Sequence, residues 1–160
     1  MRQIIGIADL KVSRTQDDVL VTYALGSCLG ITIHDLVAGV GGMLHVMLPL
    51  SNIDAAKARA NPCMFVDTGV PKLFLDCYAA GAKKERLVVK VAGGACTSKS
   101  EADDQFQIGK RNFVMLRKLL WKNGVLLNSY DVGGGVSRTM SLDIASGEVV
   151  LKIEGNEVSL

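Results

Sequence analysis

A chain of 160 residues with a hydrophobic fraction of 49% and a positive mean hydropathy can bury a sizeable core, which excludes an intrinsically disordered polypeptide. Its 18 basic and 16 acidic side chains leave a net charge of +2, and the one tight basic cluster, Lys83, Lys84 and Arg86, is interrupted by Glu85; with 5% aromatics this reads as a solvated loop, not a nucleic-acid surface. No apolar run approaches the roughly 18 residues that span a bilayer, and the N-terminal apolar run is too short for a secretory signal and broken by Asp9, so a cytoplasmic protein with no direct membrane insertion is expected.

Residues 4–12 read as a first strand, punctuated by Ile5, Ile7, Leu10 and Val12, and 13–18 as a polar turn. A second strand is expected over 19–23, with Thr22 on the face opposite Val21. Gly26 and Ser27 break the line before Cys28, and Ile31, Thr32 and Ile33 carry the next strand. Cys28, Gly30, Thr32 and His34 then share one face. A strand over 43–48 puts Met43, His45 and Met47 on one face, and Pro49 ends it. If the hairpin between these strands turns at Leu36-Val37, Cys28 lies directly opposite His45; a tip at Ala38-Gly39 offsets them by a few residues. His34 is a rival base, but it lies six residues along the strand, about 20 Å from Cys28 at about 3.3 Å per residue.

A thiolate and an imidazole are the minimum parts for covalent attack on an acyl carbon, so Cys28 with His45 points to cysteine-dependent hydrolysis of an amide. The alternative is a strand bend with a buried structural cysteine and a core histidine bonded to backbone. The other cysteines are Cys63, Cys77 and Cys96; no pair has C-x-x-C spacing, so free thiols and no metal are expected, and thiol hydrolysis of an amide requires no organic cofactor.

Residues 51–61 read as a loop or one helical turn. Asp67-Thr68 can cap a helix whose stripe is Val70, Leu73, Phe74, Cys77 and Tyr78, with Pro71 in its first turn and an end near Gly81. Cys77 lies on that stripe and is expected in the core. Residues 86–92 form a buried-type strand, and Gly93-Gly94-Ala95-Cys96 a turn, which makes Cys96 the second candidate nucleophile. Residues 97–105 are expected as a surface loop. A second helix runs from Ile108-Gly109-Lys110-Arg111-Asn112 to about Asn123-Gly124, with Met115, Leu116, Leu119 and Leu120 as its apolar face and Lys118 and Lys122 near its end. Strands are expected over 125–130, 138–144 and 149–153, the last two joined by a hairpin turn at 145–148. The glycine-rich loop at 131–136 lacks the following helix and the Lys-Ser/Thr of a phosphate-binding loop, which argues against a nucleotide site. Asp35, at a strand end, reads as a turn residue.

This order is not a strict β–α alternation. It favours one α/β domain of the α+β type over residues 1–160: a layered sandwich of mixed, largely antiparallel sheets with two main helices packed on one side.

The segments Thr22, Gly26-Ser27-Cys28, His45-Val46-Met47-Leu48-Pro49, Gly93-Gly94-Ala95, Ile108-Gly109-Lys110-Arg111-Asn112 and Asp131-Val132-Gly133-Gly134, in this order over nearly the whole chain, resemble the CheD family of chemoreceptor glutamine deamidases. The resemblance implies a triad of Cys28 as nucleophile, His45 as general base and acid, and Thr22 as the group that orients the histidine. The oxyanion donors are expected to be the backbone N–H groups of Cys28 and Ser27. It further implies a fold similar to the catalytic domain of cytotoxic necrotizing factor toxins. The implied substrate is a glutamine on the cytoplasmic signalling domain of a chemoreceptor, with receptor glutamate methyl esters presenting the same acyl carbon and a CheC-type phosphatase as a second partner. The chain departs from the family pattern at Tyr23-Ala24, where the pattern has Leu-Gly, and at Ser137, where it has Gly. The competing readings are a non-enzymatic adaptor that binds receptors or a CheC-type phosphatase, and another thiol hydrolase such as a peptidase or transglutaminase.

Overall fold

The computed structural model describes residues 1–96 and 106–160; the loop expected over 97–105 lies outside the described residues. Two five-stranded sheets face each other. The first has the order β1 (Arg2–Ile4), β3 (Val19–Leu25), β8 (Arg138–Asp143), β9 (Val149–Ile153) and β10 (Asn156–Ser159). The second runs β2 (Asp9–Ser13), β5 (Val40–Val46), β4 (Leu29–Asp35), β6 (Val88–Gly93) and β7 (Ser129–Val132). Among the described strands, β1–β3 and β6–β7 pair in parallel and the other pairs are antiparallel. Helices α2 (Val66–Ala79) and α3 (Ile108–Lys122) pack on the outer face of the second sheet, with a short α1 (Ala55–Ala60) between β5 and α2. This is the α+β sandwich expected, with its main helices on one side.

The alternation of side chains sorts the two cores. On β4, Leu29, Ile31 and Ile33 point to the helices, where they meet Leu44 and Val46 of β5, Val70, Leu73 and Cys77 of α2 and Leu116 and Leu120 of α3. The opposite parity faces the other sheet. There Met43 of β5 and Ala92 of β6 meet Leu20, Leu25, Met140, Leu142, Val149 and Leu151. β4 and β5 are buried on both faces, which is why they read as nearly continuous apolar runs.

Several boundaries differ from the sequence reading. The strand expected over 4–12 is two strands in different sheets, β1 beside β3 and β2 beside β5. The chain crosses between them at 5–8, where Ile5 enters the inter-sheet core and Ala8 has φ 56°. Periodicity cannot show such a crossing: Ile5 packs in the inter-sheet core while Leu10 and Val12 pack against the helix-side core, and the apolar spacing is continuous across the change. The β4–β5 hairpin turns between the two tips considered: Asp35 pairs with Val40, so the centre is Val37-Ala38. Asp35 Oδ1 accepts from Ala38 N–H at 3.1 Å and Gly39 takes φ 66°, and these turn contacts set the register. Neither Asp67 nor Thr68 caps α2: Asp67 accepts from Ser51 N and Oγ, Thr68 Oγ1 donates to Pro62 O, and Pro71 lies in the second turn. The strand expected over 125–130 is displaced to β7, and β10 was not anticipated.

Candidate active site

Gly26, Ser27 and Cys28 form the turn from β3 in one sheet to β4 in the other. Its shape starts with a bulge: Thr22 pairs with Met140 but Leu25 with Arg138, so β3 carries one extra residue. Ala24 sits in that bulge at φ 57°, the left-handed region that glycine occupies freely. The family pattern has glycine there, so the departure at Ala24 falls where glycine has a physical advantage. Tyr23 points away from the inter-sheet space, and its hydroxyl accepts from Arg2 Nη2 at 3.2 Å. Ser137 is exposed and has no positive φ that would call for glycine.

The turn is held through its carbonyls. Gly26 O accepts from Ala95 N at 2.8 Å and Cys28 O from Gly94 N at 2.9 Å. Ser27 O accepts from the side chain of Asn112 at 3.0 Å. Among the described residues, the N–H groups of Ser27 and Cys28 donate to no carbonyl. The Gly93-Gly94 pair is required by this closeness: a Cβ on Gly93, at φ 114°, would stand 2.2 Å from Cys28 O. Gly109 does the same for α3, since a Cβ there would stand 2.6 Å from the backbone of Gly94. Arg138 braces the outer side. It donates to Gly93 O at 3.2 Å, Gly133 O at 2.8 Å and Asp131 Oδ1 at 3.1 Å.

Thr22 and His45 meet between the sheets, at 0% and 1% exposure, with Thr22 Oγ1 2.7 Å from His45 Nδ1. Thr22 Oγ1 also lies 2.8 Å from Ile5 O, which can only accept. The single hydroxyl proton therefore goes to Ile5, and Oγ1 accepts from His45 Nδ1–H. That tautomer leaves Nε2 as a bare acceptor, and among the described residues the buried Nε2 has no partner. His45 pairs with Gly30, so Cys28 lies two residues beyond the directly opposed position, on the same face. It is half-buried and packs against the inter-sheet core that His45 borders. Diagonal neighbours of this kind lie roughly 7–8 Å apart at Cα, closer at the side chains.

Burial pushes the Cys28 thiol up from its ordinary 9.0, opposed by its own backbone N–H, and holds His45 below its ordinary 6.5. The resting pair is a neutral thiol and a neutral imidazole. An imidazole with Nδ1–H engaged and Nε2 bare can accept a thiol proton when an electrophile arrives.

The other candidates lie elsewhere. His34 Nε2 is 2.8 Å from Ile144 O. Asp35 is fully buried, 2.9 Å from Arg86 Nη2, and also accepts from Lys83 N. Burial alone would raise that carboxyl, but the hydrogen bonds from Arg86, Ala38 and Lys83 hold it well below the carboxylate range. Burial pushes Cys77 up to about 12, so its thiol is inert. Cys96 is half-buried, with its N–H on Gly134 O at 2.9 Å, and lines a cavity of about 260 Å³ with Gly94, Lys110 and Phe113. Among the described residues, no three His, Cys, Asp or Glu side chains converge as metal ligands would.

Sequence reasoning gave Asn112 no role of its own. It is fully buried on α3, and its amide nitrogen donates to Ser27 O and to Met47 O, both at 3.0 Å. One side chain thus ties the turn before Cys28 to the segment after His45. The available signal was its place on the buried stripe Asn112, Leu116, Leu120, where a polar residue needs a specific partner.

A family model described as CheD chemotactic sensory transduction matches residues 47–153, which includes neither Thr22, Cys28 nor His45. Full-length relatives do cover that region. The probable chemoreceptor glutamine deamidase CheD 1 of Syntrophus aciditrophicus is 49% identical over 154 residues, covering 95% of this chain and 94% of that protein. The probable chemoreceptor glutamine deamidase CheD of Solibacter usitatus is 50% identical over 157 residues, covering 98% and 92%. That of Pyrococcus abyssi is 40% identical over 157 residues, covering 96% and 93%. Among solved structures, a Neisseria meningitidis protein of the DUF152 family model aligns at 11% identity and TM-score 0.47 over 82% of this chain and 62% of its own length, a likeness on which no argument rests. Two relatives near half identity, each covering more than nine-tenths of both chains, together with the matched family model, show that this chain belongs to the CheD family.

Proposed function

We propose that this chain, acting as a single domain, deamidates glutamine side chains on the cytoplasmic signalling domains of chemoreceptors, with Cys28 as nucleophile, His45 as base and acid, and Thr22 as the residue that fixes the imidazole. The observation that carries the reading is the buried Thr22–His45 contact with a bare Nε2 on the face shared with Cys28. The names of the relatives, chemoreceptor glutamine deamidases, support the substrate.

His45 Nε2 takes the Cys28 proton as Sγ attacks the carboxamide carbon. The carbonyl π electrons move to oxygen, and the N–H groups of Cys28 and Ser27 are suited to hold that charge. The imidazolium then protonates the amide nitrogen, the C–N bond breaks and ammonia leaves a thioester. Water gives a proton to Nε2 and adds to the thioester carbon. The C–S bond breaks, Sγ recovers the proton, and glutamate remains. A glutamate methyl ester enters the same sequence and releases methanol. Thr22 orients the ring without adding a negative charge, which suits a pair that rests neutral.

The test is the intact mass of a purified receptor cytoplasmic domain after incubation with wild type and with Cys28→Ala. Each converted glutamine adds about one mass unit, as NH₂ becomes OH. Gain with wild type and none with the variant is expected. A receptor bound but unchanged by both would favour the adaptor reading, and exchange of an added amine into the glutamine would favour transglutamination.

A further inference from the structure

The exposed side of α3 carries a charge that the site does not use. Its 15 residues include Lys110, Arg111, Arg117, Lys118 and Lys122 and no acidic residue. All five cations are exposed, and none forms a salt bridge among the described residues; Arg117 lies over the Phe113 ring at 5.7 Å. The whole chain carries 18 − 16 = +2, so α3 at +5 leaves −3 for everything else. The charge is thus concentrated on one ridge about 22 Å long, at 1.5 Å per residue. Two apolar residues stand on the same ridge: Val114, which is exposed, and Trp121, 85% exposed. Beside it, Pro49, Leu50, Val114 and Met115 help line a shallow cavity of about 280 Å³ that Lys110, Arg111 and Lys118 rim.

This ridge is continuous with the candidate active site. Gly109 of α3 packs on the backbone of Gly94, and the buried Asn112 donates to Ser27 O beside the nucleophile. A protein that presents a glutamine to Cys28 must lie against whatever surrounds the turn, and α3 begins there. We propose that the basic outer ridge of α3 is the docking surface for an acidic helical face of the substrate protein, next to the glutamine that enters at Cys28. The inference rests on the deamidase reading and names the chemistry of its substrate. Lys110 and Lys122 are 12 residues apart, roughly 18 Å along the helix. Carboxylates two to three turns from the target glutamine, on the same face of a substrate helix, stand about 11–16 Å from it and fall within that length. The cavity beside Pro49 and Leu50 takes an apolar side chain between them. Electrostatic complementarity of this kind sets encounter rate and register, and salt screens it.

The test measures binding separately from chemistry. On the Cys28→Ala background, the Kd for a purified chemoreceptor cytoplasmic domain is read by fluorescence anisotropy with and without Arg117→Glu, Lys118→Glu and Lys122→Glu together. The triple reversal is expected to raise Kd at least tenfold, and binding by the unreversed protein is expected to weaken as salt rises from 50 to 500 mM. Lysines in place of the receptor's acidic residues, two to three turns from the glutamine, are expected to restore binding to the reversed enzyme. With Cys28 present, an unaltered rate of iodoacetamide alkylation shows that the site is intact in the reversed protein. An unchanged Kd overturns the proposal, as does loss of binding only to vesicles with 30% phosphatidylglycerol, which would assign the ridge to a lipid surface. Receptor binding through α3 without glutamine conversion would sink the deamidase reading and leave the docking surface standing. Conversion with no effect of the reversal does the opposite, and no receptor binding at all overturns both.

Discussion

Thr22 has one hydroxyl proton and two neighbours that could take it, Ile5 O at 2.8 Å and His45 Nδ1 at 2.7 Å. Ile5 O cannot donate, so the contact network writes the histidine tautomer, and Thr22→Val should erase it while keeping the side-chain shape. We expect kcat to fall by roughly 10–100-fold, the scale for losing a group that orients a histidine through its other ring nitrogen, with KM little changed and about 1–3 kcal/mol of stability lost from the unsatisfied Ile5 carbonyl. Steady-state kinetics and urea unfolding check both; an unchanged kcat contradicts the orienting role. The neutral resting pair also sets a pH profile. Because burial lowers His45 below 6.5 and raises Cys28 above 9.0, kcat/KM should rise as pH climbs through a value below 6.5 and hold steady across neutral pH. Ala24 offers a prediction of opposite sign. A non-glycine residue in the left-handed region costs about 1–2 kcal/mol, and glycine loses part of that gain to its freer unfolded chain. Ala24→Gly should therefore stabilise the protein by up to about 1 kcal/mol, seen as a rise in Tm of roughly 2–4 °C.

Asn112 shows how one element reaches another. Its amide clamps Ser27 O and Met47 O, so α3 fixes the spacing between the turn before Cys28 and the end of the strand that carries His45. Asn112→Asp keeps the volume but cannot donate to either carbonyl. It should lower kcat by 10-fold or more, an order-of-magnitude expectation for a misplaced nucleophile, and alter the pH dependence of Cys28 alkylation by iodoacetamide. A protein that is merely less stable, with an unaltered alkylation profile, would reduce Asn112 to a packing role. At this scale the sequence was legible where one periodicity ruled. The stripes of α2 and α3 follow from spacing alone, and so does the alternation along each strand that lets Cys28 and His45 share a face once the hairpin is set. The hairpin register was not, because the Asp35–Ala38 turn and Gly39 decide it. Nor was the crossing at residues 5–8, since a strand pattern carries no record of which sheet receives it. The caps expected from Asp67 and Thr68 failed because both side chains found partners in the segments before α2, at Ser51 and Pro62.

The whole molecule places its buried histidine between two sheets, so the proton balance of His45 is coupled to global unfolding. Its folded value lies below the ordinary 6.5, so the unfolded chain binds a proton first as pH falls. Stability is full above 6.5 and declines below it, toward the folded value, by up to about 1.4 kcal/mol per pH unit. Tm should drop between pH 7 and 5.5, and His45→Gln should flatten that drop. A wild-type Tm that stays level over this range would contradict the buried neutral imidazole. The same two-sheet arrangement makes the site an assembly of distant segments. Thr22, Cys28, His45 and Asn112 come from four elements or turns, and the side-chain hydrogen bonds that tie Thr22, His45 and Asn112 into the site join residues 17 or more positions apart. That is why the motifs are individually weak and informative only in order.

The most direct test of Cys28 as the attacking group is the mass of the enzyme itself during turnover of a receptor-derived glutamine peptide, quenched in acid. A population heavier by the peptide less about 17 mass units, the ammonia lost on forming the thioester, is expected, with the adduct mapping to Cys28. An enzyme that converts the peptide while remaining at its own mass, with Cys28→Ala converting it equally well, would contradict attack by Cys28.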